Sequence, residues 1–260
     1  MNKPLWVVQD NLGNGEDYVR LLTAFDSLNL PYHPVSIVPF ADDFPDVDWE
    51  GPLVAYGSTR FVTNVHRAGK WTPGVFFDED AFTMGQYIER YGDRVLNAAG
   101  QLTTIAEFSA RDYQPGEVLF VRPDRDLKEF EARVSEVEAL GAWFVKIRDD
   151  DFELKADTPI LVAKPLQIEA EWRLFMVKGR CVGGSCYRTA GLLDIAAPVP
   201  EEVTAFAESM ADIWSPAEVF VLDIGLVAND LKIIEINCFN SSGFYASDVE
   251  TIVQEVSNAV

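Results

Sequence analysis

The stretch Val219–Tyr245 (VFVLDIGLVANDLKIIEINCFNSSGFY) constrains the fold more than any other part of the sequence. Two runs rich in β-branched and apolar residues, Val219–Val227 and Leu231–Asn237, flank the turn signal Ala228-Asn229-Asp230. They predict a hairpin in a buried sheet, in which Asp223, Glu235 and Asn237 are the polar exceptions. Side chains alternate faces along a strand, so Glu235 and Asn237 share one face. A three-residue loop at 228–230 sets Asp223 opposite Glu235, on a face that also carries Val219, Val221 and Ile233. A two-residue loop at 229–230 sets Asp223 opposite Ile236 instead and turns it away. Facing carboxylates are costly unless a cation binds between them or one keeps its proton. One of the pair is therefore expected to titrate above its ordinary range, and Glu235→Gln to relieve repulsion. Oxygen ligands on a rigid platform suit Mg²⁺, which keeps waters and completes its shell from substrate phosphates.

The 260 residues suffice for one large domain or two modest ones, and 48% hydrophobic and 12% aromatic residues predict a packed core. A net charge of −21, from 42 acidic and 21 basic residues, argues against nucleic acid and anionic membrane as partners. Cys181, Cys186 and Cys238 have no CxxC spacing, which fits free thiols in a reducing cytoplasm. No signal peptide and no run of about 18 apolar residues is visible, so neither export nor a membrane span is expected.

Residues 4–100 alternate strand-like and helix-like pieces, as in a parallel α/β unit. Strands are predicted at Pro4–Gln9, Pro52–Gly57 and Val75–Phe77, with helices at Glu16–Leu30, from Ser58 to about Gly69, and from an Asp80 N-cap to about Gly92. Gly13-Asn14-Gly15 is too short for a phosphate-binding loop and is taken as a plain turn. Thr103 or Thr104 caps a short helix. An apolar strand, Glu117–Pro123, ends at Arg122, and Lys128 follows a charged turn; together they can close on an anion from two sides. Trp143–Ile147 and Pro159–Ala163 are predicted strands. Ile168–Tyr187 forms two long strands about Lys178-Gly179-Arg180, with Glu171 and Arg173 on one face. Glu201–Trp214 is an amphipathic helix with Val203, Phe206, Ala207, Met210, Ile213 and Trp214 as its stripe, and Asp248–Ala259 is the last helix. The change from βα alternation to hairpins places a domain boundary near 110–117.

This order of elements resembles the ATP-grasp superfamily, and within it the clade named for arginines and a lysine at the nucleotide site. The resemblance rests on Arg122-Pro123 with Lys128 and Phe130, on Glu171-Trp172-Arg173, and on Gly184–Arg188. Asp223, Glu235-Ile236-Asn237 and the Asn240–Tyr245 tail complete it. It implies a Rossmann-like pre-ATP-grasp α/β domain at 1–110. An α+β ATP-grasp domain follows at 111–260, its lobes at about 111–165 and 166–260. It also implies ATP and one or two Mg²⁺ ions as cofactors, with Asp223, Glu235 and Asn237 as metal ligands. Arg122 and Lys128 would hold phosphates, Glu171 ribose or metal, Arg173 the γ-phosphate or an acyl phosphate, and Arg188 the acceptor side. The Pro159–Gln167 hinge would meet adenine. It carries Lys164-Pro165 where a glutamate is usual, and Glu131 stands where relatives have glycine.

The activity so implied is an ADP-forming carboxylate–amine ligase acting on small-molecule or peptide substrates. Its chemistry needs charge neutralisation more than acid–base groups. The only two histidines, His33 and His66, have no Ser or Cys partner in a recognisable motif, and Cys186 and Cys238 are expected to be buried thiols. A catalytically silent nucleotide-binding module and a small-molecule kinase on the same fold are the alternatives.

Overall fold

A computed structural model describes residues 3–12, 15–38, 44–150, 154–196 and 198–260, with the backbone alone at 148–150 and 196. Gly13-Asn14 of the first turn and residues 151–153 lie outside the described residues. Three sheets organise the chain. The first is parallel, with strands β1 (Leu5–Gln9), β2 (Tyr32–Val35), β3 (Leu53–Tyr56) and β4 (Pro73–Gly74) in the order β2-β1-β3-β4. Helices α1 (Gly15–Leu28) and α2 (Thr59–Ala68) make its crossovers. β2 has no apolar alternation and contains Pro34, which an edge strand tolerates. The strand expected at Val75–Phe77 is displaced to Pro73–Gly74, and the Phe76 N–H instead donates to Asn240. The N-cap of the next helix, α3 (Met84–Tyr91), is Thr83 rather than Asp80.

The second sheet is antiparallel, ordered β5-β8-β6-β7 from β5 (Gln101–Thr104), β6 (Val118–Pro123), β7 (Arg133–Glu136) and β8 (Pro159–Ala163). Thr104 and Glu107 form a reciprocal capping box on α4 (Ile105–Ala110). Because β5 pairs with β8, this unit begins ahead of the boundary expected near 110. Trp143–Ile147 is not a strand: it lies in α5 (Val137–Asp150), where Leu140 and Phe144 are fully buried and Ile147 is half-buried. That i, i+4, i+7 stripe belongs to a helix, and the apolar run alone could not distinguish the two.

The third sheet is antiparallel with order β11-β10-β9-β12-β13. Its strands are β9 (Ala170–Val177), β10 (Arg180–Thr189), β11 (Leu192–Ala196), β12 (Val219–Val227) and β13 (Asp230–Asn237). Helices α6 (Glu201–Ile213) and α7 (Val249–Ala259) pack against it. Val203, Ala207 and Met210 of α6 are buried, but Ile213, expected in the same stripe, is 56% exposed. The first and third sheets share two continuous cores. One includes Val7, Phe61 and Leu222; the other includes Trp6, Phe175 and Val253. The second sheet closes a separate core with α4 and α5, around Phe108, Val121 and Phe144. From its strands only Leu161 of β8 is buried in a core of the other two sheets. The second sheet is thus joined to the rest by polar contacts at its rim more than by a common interior.

Candidate functional site

The β12–β13 hairpin turns on Ala228 and Asn229, both left-handed with φ of 51° and 70°. It is a two-residue turn of the kind that follows strand twist, not the three-residue loop that the sequence suggests. Val227 pairs with Asp230, and this register holds to Ile224–Ile233. Ile234 is then extra, and the bulge it makes restores Asp223 opposite Glu235 and Val221 opposite Asn237. The facing carboxylates are therefore present, but through a bulge. Ile233, expected on their face, packs in the opposite core from Val219 and Val221.

On its other side Asp223 pairs with Arg173 of β9, so Arg173, Asp223 and Glu235 stand in one row across three strands. Arg173 grips Asp223 through Nε at 2.8 Å and Nη2 at 2.7 Å. Asn237 Nδ2 donates to Asp223 at 3.2 Å and to Glu235 at 3.1 Å. Arg122 reaches this row from β6, its Nη2 2.7 Å from Glu235 Oε2 and its Nη1 3.3 Å from the Ile234 carbonyl. Burial pushes Asp223 up to about 6; Arg173 opposes the rise and the Glu235 charge adds to it. Burial acts on Glu235 in the same sense, but Arg122, Arg173 and the Asn237 amide outweigh it and hold Glu235 at about 2. One carboxylate thus lies above its ordinary range, as expected. Glu235 sits in a favourable field rather than a repulsive one, so neutralising it removes an attraction.

A second bulge, between Cys186 and Arg188, aims side chains at the same face. Arg188 pairs with Glu171, its Nη1 3.8 Å from Oε1, and Tyr187 OH donates to Glu171 Oε2 at 2.8 Å. The Tyr187 and Tyr245 rings stack at 4.9 Å, and the Arg173 guanidinium lies 5.1 Å from the Tyr245 centroid. Tyr245 has a φ of 49°, a costly conformation for a bulky residue. It is held from α1 of the first unit. Arg20 donates to the carbonyls of Tyr245 and Ser247, and Asp17 accepts from the Phe244 N–H at 3.1 Å. Lys128 is exposed after the charged turn, with φ 54°, and Lys164 is exposed where β8 leads out toward β9. Neither is drawn into the row. Cys238 is buried and burial pushes its thiol up, as expected for an inert group, whereas Cys186 is only half-buried.

The row, with Arg122, Glu171 and Arg188, was marked by the sequence. Tyr245 and the buried Asp126 were not singled out. Asp126 looks like one more charge in RPDRD, and nothing in the local pattern signals its burial.

Solved structures share this architecture. D-cycloserine synthetase DcsG superposes with a TM-score of 0.66 at 12% identity, covering 98% of each chain. An ATP-grasp RimK domain protein from Sphaerobacter thermophilus DSM 20745 gives 0.65 at 12% identity over 99% of each chain. D-alanine–D-alanine ligase from Bacillus anthracis gives 0.58 at 11% identity, covering 99% of this chain and 92% of that one. At such identities the likeness is one of fold, and the fold is ATP-grasp. The family follows from sequence. The profile of the ATP-grasp domain, family 3 of the clade named for two arginines and a lysine, matches residues 53–256, and the chain belongs to that family. Comparison with curated proteins returns no match. No helix among the described residues is long and apolar enough to cross a membrane.

The donor set fits the magnesium that the family implies. Among the described residues no group of three or more His, Cys, Asp or Glu could hold an ion alone. Two carboxylates and a carboxamide offer oxygen only, and leave the rest of a shell to water and phosphate.

Proposed function

We propose that the protein is an ATP- and Mg²⁺-dependent ligase that activates a carboxylate by γ-phosphoryl transfer and passes the acyl group to an amine. The observation that carries this reading is the row Arg173–Asp223–Glu235, with Asn237 bonded to both carboxylates and Arg122 closing on it from another sheet. We divide the chain into a first α/β unit ahead of β5, a nucleotide-side lobe from β5 through β8, and a catalytic lobe from β9 onward.

Glu235 and Asn237, with Asp223 behind them, would hold magnesium, which would supply positive charge to neutralise the ATP phosphates. Arg122 would exchange Glu235 for phosphate oxygens, with Lys128 as a second point charge. The ATP γ-phosphorus bonds to a carboxylate oxygen as its bond to the β–γ bridging oxygen breaks, giving ADP and an acyl phosphate. The amine nitrogen then attacks the acyl carbon, phosphate leaves with the C–O electron pair, and the ammonium proton passes to solvent. The guanidinium groups of Arg173 and Arg188 would stabilise the charge that builds on the transferring groups. Arg173 is suited to this because Asp223 keeps it protonated and fixed despite burial. Lys164 would lie at the hinge beside the adenine, and Glu171 sits between Tyr187 and Arg188.

The test is incubation with Mg²⁺, ATP and pooled amino acids and peptides, followed by measurement of ADP, AMP and new mass adducts. ADP with a condensed product supports the ligase. A phosphorylated alcohol would assign a kinase, and nucleotide binding without ADP would assign a silent module.

A further inference from the structure

The charged turn 124–126, just beyond Arg122, makes a contact that the proposed chemistry does not use. Asp126 is buried, with 9% of its surface exposed, at a point where all three parts of the chain meet. Its Oδ2 accepts the Cys238 N–H at 2.7 Å, immediately after Asn237. Its own N–H donates to the Phe82 carbonyl at 3.1 Å. Two residues earlier, the Asp124 carbonyl and side chain accept the N–H groups of Met84 and Gly85 at 2.8 and 2.9 Å. The turn is therefore anchored to the first unit and holds the third.

We propose that Asp126 is a positioning residue, whose carboxylate fixes the end of β13 through the Cys238 N–H and thereby sets Glu235 and Asn237 in place opposite Arg122. The segment 122–126 grips β13 on both sides of the two candidate ligands: Arg122 at the Ile234 carbonyl and Glu235, Asp126 at Cys238. The two grips differ in kind. Arg122 is a long side chain able to exchange its partner for phosphate, whereas Asp126 holds a backbone N–H that has no other partner among the described residues. Leu161 is the one strand residue that the second sheet buries in a core of the third, so these contacts, more than packing, set the distance between the phosphate-side cation and the metal-side carboxylates. A buried acid is a costly way to accept one N–H, and the cost points to a constraint other than stability. Lys128 and Arg122 offset that cost in part, and Glu235 adds to it.

The proposal rests on the reading of Glu235 and Asn237 as metal ligands, and the experiment separates the two. Mn²⁺ binding is measured by electron paramagnetic resonance in saturating AMP-PNP for the full chain, Asp126→Ala, Asp126→Asn, Cys238→Pro and Glu235→Gln. Cys238→Pro removes the N–H itself, at a φ of −62° that suits proline. Outer-sphere groups of this kind change metal affinity about 10–100-fold when removed. Asp126→Ala and Cys238→Pro should each weaken Mn²⁺ by that order, the double variant no further, and Asp126→Asn, which keeps an acceptor, should restore binding to within about threefold of the parent. The proposal is overturned if Asp126→Ala or Cys238→Pro binds Mn²⁺ like the parent, or if Asp126→Asn loses as much as Asp126→Ala. If Asp126→Ala does not fold, the asparagine and proline variants decide alone. Failure of the parent to bind, or undiminished binding by Glu235→Gln, would instead refute the ligand assignment.

Discussion

Asp126→Asn should make the protein more stable at pH 8 and leave it nearly unchanged at pH 4. Burial pushes Asp126 up to about 7 from an ordinary 3.8; Lys128, the Cys238 N–H and Arg122 pull it back, and Glu235 adds to the rise. Between those values the folded protein keeps a proton that the unfolded chain releases. Unfolding free energy therefore falls as pH rises through the window, and the favourable contribution is complete only below about pH 4. A shift of about 3 units at about 1.4 kcal/mol each sets a ceiling near 4 kcal/mol. Relaxation and water entry at the rim of the second sheet reduce this, and we expect about 1–3 kcal/mol at pH 8, or a few degrees to about 10 °C in Tm. Asp223, also raised, gives a slope of the same sign in both proteins and cancels in the difference. Glu235 is lowered and titrates below the window. Urea or thermal melts of parent and variant at half-unit steps from pH 4 to pH 8 read the difference directly. A difference that does not change with pH, or a variant less stable at pH 8, would refute the reasoning.

Arg122→Ala should weaken ATP far more than AMP by calorimetry if, as proposed, the guanidinium holds the outer phosphates; equal losses would refute that role. Glu235→Gln should abolish turnover and, at pH 7, cost about 1.5–3 kcal/mol in chemical denaturation, the range for hydrogen bonds to charged groups. The stabilisation lost is present above about pH 4.5 and disappears as pH falls toward 2, so the difference from the parent should shrink in melts at pH 3. Ala228→Asn should raise Tm by about 1–3 °C, since asparagine tolerates the left-handed conformation that alanine adopts there at φ 51°; a fall would mean that the turn is not limiting.

Much of this architecture was legible because strong periodicity and short-range signals agree. The hairpins about 178–180 and 228–230, the helices at 201–213 and 249–259, and the Thr104 cap all rest on such local patterns. The failures lie where tertiary context decides. Trp143–Ile147 is apolar on every residue but Lys146, so its identity depended on the Leu140 and Phe144 stripe that faces the second core. β2 and β11 are edge strands with weak patterns, one holding a proline and the other exposing Leu192 and Leu193. Asp126 was invisible for a different reason, because burial of a charge inside a charged run is set by elements more than 40 residues distant on one side and 100 on the other.

The carboxylate pair shows how the expected juxtaposition can arise by a different geometry. Sequence alternation supplied the chemistry, and a three-residue loop supplied the register. In the structure the loop is one residue shorter, and Ile234 returns that residue as a bulge. A two-residue turn continued without a bulge would pair Asp223 with Ile234 and put Glu235 on the opposite face, since a one-residue slip reverses every side chain beyond it. The bulge thus achieves what the longer loop would have, and achieves it beside the functional face. There the added twist also brings the Ile234 carbonyl to Arg122 and the Glu235 carboxylate to the same guanidinium. The matching irregularity at Tyr187 turns Arg188 and Tyr187 together onto Glu171. A third irregularity, between Cys181 and Gly183, lies at the far end of β10, away from these groups. The two that flank the functional face fall at residues that carry the proposed chemistry. Without the bulge in β13, Ile236 would leave the core it shares with Ile233 and Glu235 would turn toward that core, so the bulge serves the packing as well as the charges.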